Sequence, residues 1–278
     1  MDIFSNFIPK EHYLNCIVNN EKFILEPTKK INFSDKPISI FNDYTPTFEE
    51  LNKNPYNVLI ILEPNQLFGL HDWAINNKEN FSCILTWSEK ILNSCENSML
   101  LPFGTSFLHN IPEFYESFNV NNKKFGVSFL CGRKKMINGH FLRHKIYENG
   151  DKIKIDKTWI YEGPSDCKKP CWNSYFHIAV ENIKENNWFT EKVIDSFLTK
   201  TIPIYWGCPN FNNYFDPNGY ITFDTTEELI EIVNNLTPEY YYDRLDVIEK
   251  NYKSALYYGD FFFRINEILE QIVTHNNI

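Results

Sequence analysis

The chain has no excess of positive charge. Its 27 Lys and Arg face 36 Asp and Glu, a net charge of −9. Proteins that bind nucleic acid broadly need a basic face that displaces phosphate counterions, so that class is set aside. A local basic pocket for one small anion is still compatible with the total. Long apolar runs are also missing. The longest apolar strand candidate, Val58 to Leu62, is far short of the roughly 20 residues that cross a bilayer. Met1 to Lys10 carries charges and a proline where a leader would carry an apolar stretch. Paired cysteines are lacking too. Cys16, Cys83, Cys95, Cys131, Cys167, Cys171 and Cys208 are odd in number and scattered, which points to reduced thiols and a cytoplasmic setting. Cys167 and Cys171 lie four apart near His177, but no second close pair completes a structural zinc site, and no metal is expected there. No Asp-x-Asp triplet is present to hold a divalent ion against a diphosphate. There is no internal repeat and no low-complexity linker.

What is present is ordinary soluble, globular chemistry, with 43% hydrophobic and 23% charged residues. Aromatics reach 17%. A large core accounts for them, and stacking on sugar rings is the second reading.

The pattern of elements predicts α/β architecture. Val58 to Leu62 is continuously apolar, like a strand buried on both faces. Cys83 to Trp87 and Met99 to Phe103 read as two more strands. Ser88 to Cys95 between them reads as a short helix capped by Ser88. This βαβ rhythm implies a parallel sheet. Residues 110–124 are polar and broken, and the expected division runs 1–118 and 119–278. Phe125 to Cys131 begins the second half as a strand, and His140 to Tyr147 follows as a helix. Trp159 to Tyr161 is a short strand candidate. Ile221 to Phe223 precedes a capping-box pattern at Thr225 to Glu228. The helix it opens has a stripe at Leu229, Ile232, Val233 and Leu236. A last helix over 259–274 is expected to pack back on the first half.

Residues 175–207 carry the most chemistry. An apolar strand ends on Glu181 and Asn182, a polar loop follows, and Thr190 caps a helix that opens Glu191-Lys192. A second apolar strand, Ile202 to Trp206, stops on Gly207. Strand ends and helix starts are where α/β proteins bind nucleotides and phosphates. A lysine in a first helical turn opposes the helix dipole, so Lys192 is either an exposed side chain with no role or one placed there for another purpose. Glu191 suits that end of a helix with or without a role in binding hydroxyls. Glu181 and Asn182 either cap the loop or line a pocket. Trp188 either packs under the loop or lies along a ligand.

The segment 175–223 resembles the donor-binding signature of the α1,3-fucosyltransferase family, glycosyltransferase family 10. That family has Phe-Glu-Asn, then Tyr-x-Thr-Glu-Lys, then an apolar strand with Pro and Gly. Here the matching residues are Val180-Glu181-Asn182, Trp188-Phe189-Thr190-Glu191-Lys192 and Pro203 to Gly207. The resemblance implies that Lys192 binds a pyrophosphate, Glu191 holds ribose or sugar hydroxyls, and Asn182 and Glu181 belong to the donor pocket. Trp188 keeps the ring of the usual Tyr without its hydroxyl. Phe125 to Cys131 followed by Arg143 and Tyr147 resembles a further family pattern. It implies Arg143 as the second phosphate cation, with Arg133 as competitor. Leu62-Glu63-Pro64 resembles the family's Leu-Glu-Pro, which implies Glu63 as the base for the acceptor hydroxyl. His71 and Asp72 are the alternatives.

By resemblance the fold is GT-B-like, two Rossmann-like β/α/β domains facing a cleft. The implied activity is inverting, metal-independent transfer of a sugar to an acceptor glycan. GDP-fucose is the implied donor substrate, with no cofactor. Golgi members of the family carry an N-terminal anchor, and this chain is expected to follow their soluble microbial or viral counterparts. Two alternatives stand beside this: a transferase using another nucleotide sugar, and a non-catalytic glycan- or nucleotide-binding protein.

Overall fold

The computed structural model describes residues 2–5, 38–108, 118–161 and 165–275. The chain divides into two compact units, Met1–Phe103 with Asp260–Ile278, and Gly104–Gly259. The first segment of the first unit ends at Phe103, and most of the polar stretch where the sequence places the boundary (109–117) lies outside the described residues.

The first unit holds a five-stranded sheet in the order β1 to β5. These are β1 (Asp2–Ser5), β2 (Ile38–Asn42), β3 (Tyr56–Ile61), β4 (Cys83–Thr86) and β5 (Ser98–Leu100). Every pairing is parallel. Residues alternate strictly between two apolar layers. Ile38, Ile40, Val58, Ile60, Cys83 and Leu85 face one core; Phe41, Leu59, Ile61 and Ile84 face the other. That is why β3 reads as an unbroken apolar run: both of its faces are covered.

Short helices α1 (Phe48–Leu51), α2 (Asn65–Phe68), α3 (Leu70–Asn76) and α4 (Glu89–Leu92) connect the strands. Ala74 of α3 and Ile91 of α4 join one layer. Ser88 stands before α4 without a side-chain capping bond.

The second unit has another all-parallel sheet, in the order β10-β9-β8-β6-β7. Its strands are β6 (Lys124–Cys131), β7 (Lys157–Tyr161), β8 (Ser174–Val180), β9 (Ile202–Trp206) and β10 (Ile221–Thr222). After β6 the chain moves outward one way to β7. After β8 it moves the other way to β9 and β10. The strand order therefore reverses between β6 and β8, and the crevice beyond the carboxyl ends of two such strands is where open α/β sheets bind ligands.

Helices α5 (Asn138–Glu148), α6 (Glu191–Leu198), α7 (Thr226–Asn234), α8 (Pro238–Tyr242) and α9 (Leu245–Gly259) complete this unit. Ile146, Leu229 and Val233 cover one face of the sheet. Val193, Ile194, Phe197, Leu198 and Ala255 pack in the other layer.

Helix α10 (Phe261–His275) belongs to the first unit. Asp260 Oδ1 accepts a bond from Phe263 N at 2.9 Å, which opens the helix. Phe261, Ile265 and Leu269 then enter the same apolar layer as Ile40 and Ile60. Gly259 ends α9 instead of starting α10.

Candidate active site

Strand β8 delivers Glu181 and Asn182 to the point where the strand order reverses. Glu181 N donates to Trp206 O at 2.9 Å, so the ladder to β9 runs one residue past the strand. The Glu181 side chain is fully buried and turns onto Thr190. Its Oε1 accepts from Thr190 N and its Oε2 from Thr190 Oγ1, each at 2.7 Å. Burial raises its pKa, and the nearby Lys192 ammonium pulls it back. Glu181 is thus a loop organiser: it fixes the N-cap of α6 across an eight-residue excursion.

The rest of that loop is pinned equally firmly. Asn187 adopts φ 62°, a left-handed conformation that asparagine tolerates. Its Oδ1 accepts from Asn210 Nδ2 at 2.7 Å and from the Tyr214 hydroxyl at 2.5 Å. Trp188 is 1% exposed and is not among the residues lining the neighbouring cavity. Phe189 packs against Phe211, Tyr214, Phe215 and Tyr258.

With the cap fixed, the first turn of α6 presents two charged side chains. Lys192 Nζ lies 2.8 Å from Glu191 Oε1, 3.0 Å from Thr190 Oγ1 and 3.8 Å from Glu181 Oε2. The unfavourable placement of a lysine at a helix start is offset by these two carboxylates. Arg143 reaches the same place from α5. Its Nη2 donates to Asn182 Oδ1 at 2.5 Å and its Nε to Gly139 O at 3.2 Å. Asn182 thereby holds the arginine from the end of β8.

Helix α5 can come this close because position 139 is glycine. Gly139 N donates to Asn182 O at 3.0 Å, and a Cβ there would stand 1.8 Å from Glu181 O. Replacing Gly139 by alanine is expected to cost about 1–3 kcal/mol through this overlap. Arg143 should lose its seat as well. A fall in melting temperature together with weaker diphosphate binding checks this.

Arg143, Glu191 and Lys192 line one cavity of about 150 Å³. Leu130, Gly132, Cys171, Trp172, His177 and Asp195 form its remaining polar and apolar wall, with the end of β8. The sequence reading missed this inner wall. Asp195 left a faint signal, a carboxylate four residues after Glu191 in an otherwise apolar helix. It is 1% exposed and accepts from Ser106 Oγ at 2.7 Å. His177 stood out only for its nearness to Cys167 and Cys171; its Nδ1 meets Ser128 Oγ at 2.8 Å because β6 and β8 are neighbours.

Tyr147 sits one turn beyond Arg143, against Tyr161 with ring centroids 5.1 Å apart, and is not part of the wall. Arg133, the competing cation, is also outside it. Several cations nevertheless act on the neighbouring His140. His140, 5% exposed, has its pKa pushed down to about 4, by burial first and then by Arg143, Lys134, Lys192 and His144. It is therefore neutral near pH 7, and its Nδ1 accepts from Met136 N at 3.2 Å.

In the first unit, Glu63 follows β3 at its carboxyl end and is half-buried. His71 is 4% exposed, with Nε2 3.3 Å from Glu63 O and Nδ1 3.1 Å from Ser88 Oγ. Both ring nitrogens are engaged, so it is poorly suited to act as a base. Asp72 is exposed and pairs with Lys90 at 2.5 Å. Among the described residues, no cluster of His, Cys, Asp and Glu is placed to hold a metal ion. No described helix is long and apolar enough to cross a membrane.

Known proteins share this architecture. A crystal structure of an α1,3-fucosyltransferase superposes with a TM-score of 0.57 at 17% identity, over 99% of this chain and 90% of that one. A crystal structure of α1,3-fucosyltransferase with GDP-fucose gives 0.51 at 17%, over 98% and 89%. A glycosyltransferase from Rickettsia africae ESF-5 gives 0.57 at 11%, over 98% and 84%. At these identities the likeness is one of fold, and the fold is the GT-B fold of glycosyltransferases. The sequence comparison is narrower and more specific. Residues 135–247 match the family model "Glycosyltransferase family 10 (fucosyltransferase) C-term". The α-(1,3)-fucosyltransferase of Helicobacter pylori is 34% identical over 64 residues, which span 22% of this chain and 13% of that protein.

Proposed function

We propose that this chain is an inverting, metal-independent glycosyltransferase that moves fucose from GDP-fucose to a hydroxyl of an acceptor glycan. The observation that carries the reading is the convergence of Arg143, Glu191 and Lys192 on one cavity at the strand-order reversal. The family of residues 135–247 and the GDP-fucose complex of a protein with this fold support the choice of donor.

In the reaction, an acceptor oxygen forms a bond to the sugar's anomeric carbon as the bond to the diphosphate breaks. GDP leaves with the electron pair, and configuration inverts. Lys192 and Arg143 hold the departing phosphates and supply the positive charge that a divalent ion gives in other transferases. Lys192 is paired with Glu191. When Glu191 turns to accept bonds from ribose hydroxyls, the ammonium is released toward the phosphates. Glu181 and Asn182 keep Thr190 and Arg143 in place. Glu63 takes the proton of the acceptor hydroxyl. The buried free thiols Cys83, Cys95, Cys131, Cys171 and Cys208 suit the reducing cytoplasm.

Thermal-shift titration with GDP-fucose, GDP-mannose, UDP-glucose and a dTDP-sugar tests the donor. GDP-sugars are expected to raise the melting temperature progressively with the logarithm of their concentration above Kd, and the others to leave it in place. An equal response to UDP- or dTDP-sugars would reassign the donor. Donor binding without transfer to any glycan of an array would favour the non-catalytic alternative.

A further inference from the structure

Glu63 sits in an unusual backbone setting. Strand β3 ends at Ile61, yet the next two residues are held as firmly as the strand itself. Asp43, directly after β2, has φ 44°, a left-handed conformation uncommon outside glycine. Its own N–H still continues the ladder to Ile60 O at 2.9 Å. Its carboxylate Oδ1 then accepts Leu62 N at 2.9 Å and Glu63 N at 3.2 Å. Two carbonyls remain, and each has a side-chain donor. Trp87 Nε1 donates to Leu62 O at 2.6 Å. His71 Nε2 approaches Glu63 O at 3.3 Å, with Ser88 Oγ on its other nitrogen, which assigns the Nε2–H tautomer.

All four backbone polar groups of Leu62 and Glu63 are therefore gripped by side chains that are nearly sealed from water. Asp43 is 1%, Trp87 3% and His71 4% exposed. A loop residue at a strand end is usually satisfied by water or a turn. Burying an aspartate and straining its backbone is an expensive way to satisfy two N–H groups. Burial pushes the Asp43 carboxyl up to about 7, a sign of how strongly its surroundings resist charge. Packing of the two apolar layers requires none of this, since Leu62 already fills its place in one of them.

We infer that Asp43, Trp87 and His71 are positioning residues that fix the Glu63 carboxylate in the orientation needed for proton abstraction. The inference rests on the assignment of Glu63 as base and adds how its direction is set. A base displaced by about 1 Å loses on the order of a hundredfold in rate, so loosening the clamp should appear in turnover and not in donor affinity.

The test measures release of GDP from GDP-fucose, to a glycan acceptor found on the array or to water, alongside GDP binding by calorimetry. Asp43→Ala is expected to lower kcat by about ten- to a hundredfold, with the Kd for GDP unchanged. Asp43→Asn keeps the oxygen acceptor and should restore most of that loss. Trp87→Phe removes one N–H and should lower kcat by a smaller factor, which also serves if Asp43→Ala folds poorly. In a Glu63→Gln background the Asp43→Ala loss should largely vanish, because the two residues act as a unit. A kcat unchanged in folded Asp43→Ala and Trp87→Phe, with Glu63→Gln impaired, overturns the clamp alone. An equal Asp43→Ala loss with and without the Glu63 carboxylate also overturns it. Wild-type turnover by Glu63→Gln removes the base assignment and the clamp with it.

Discussion

Lys192→Ala is expected to weaken GDP binding by about 3 kcal/mol, roughly a hundredfold in Kd. The magnitude follows from the setting. The ammonium stands at the start of α6, where orphaned backbone N–H groups already favour an anion, and it lines the cavity beside Arg143. Its removal leaves Arg143 as the one cavity-lining cation among the described residues. It also leaves the buried Glu181 without the charge that now lowers its pKa, so Glu181 will bind a proton at higher pH in the variant. Part of the effect will therefore be lost stability, and the Kd must be read well below the melting temperature. Guanosine, which lacks phosphates, is the control and should bind both proteins alike. Unchanged GDP affinity would take Lys192 out of the phosphate site and leave the donor cavity without its main support.

Glu63→Gln is expected to lower transfer by about 10²- to 10⁴-fold, the range for losing a positioned general base, while GDP affinity stays at the wild-type value. The amide keeps the size of the carboxylate and, with it, the backbone clamp of Asp43, Trp87 and His71. The loss would therefore belong to proton abstraction and not to folding. A plot of kcat against pH sharpens the result. The acid limb that reports an ionising carboxylate should disappear in the variant. Turnover near wild type would reject Glu63. Of the two alternatives named from the sequence, His71 has both nitrogens occupied and Asp72 is bound to Lys90 at the surface.

These two residues were legible in the sequence for different reasons. Thr190, Glu191 and Lys192 are contiguous, and a capping threonine before an apolar helix marks its own position. Glu63 follows a short apolar run that reads like a strand covered on both faces. Other features left no linear trace. Strand β2 is five residues long and buries Ser39 and Asn42 along with its apolar residues, so it does not read as a continuous apolar run. Helix α9 buries Ile248, Asn251, Ala255 and Gly259, a stripe too small and polar to stand out. The roles of Glu181 and Asn182 depended on what came opposite them. One met Thr190 nine residues on, and the other met Arg143 thirty-nine residues back.

By itself the sequence determined the parallel α/β layers, the capped start of α6 and the charged residues placed there, because strand burial and helix capping act between near neighbours. Only the tertiary structure decided which of those charges share a cavity, and which side chains hold the backbone beneath Glu63. Asp43 and Leu62 lie nineteen residues apart. They meet because β2 and β3 are adjacent in the sheet, and adjacency between strands is a property of the folded chain that no local pattern records.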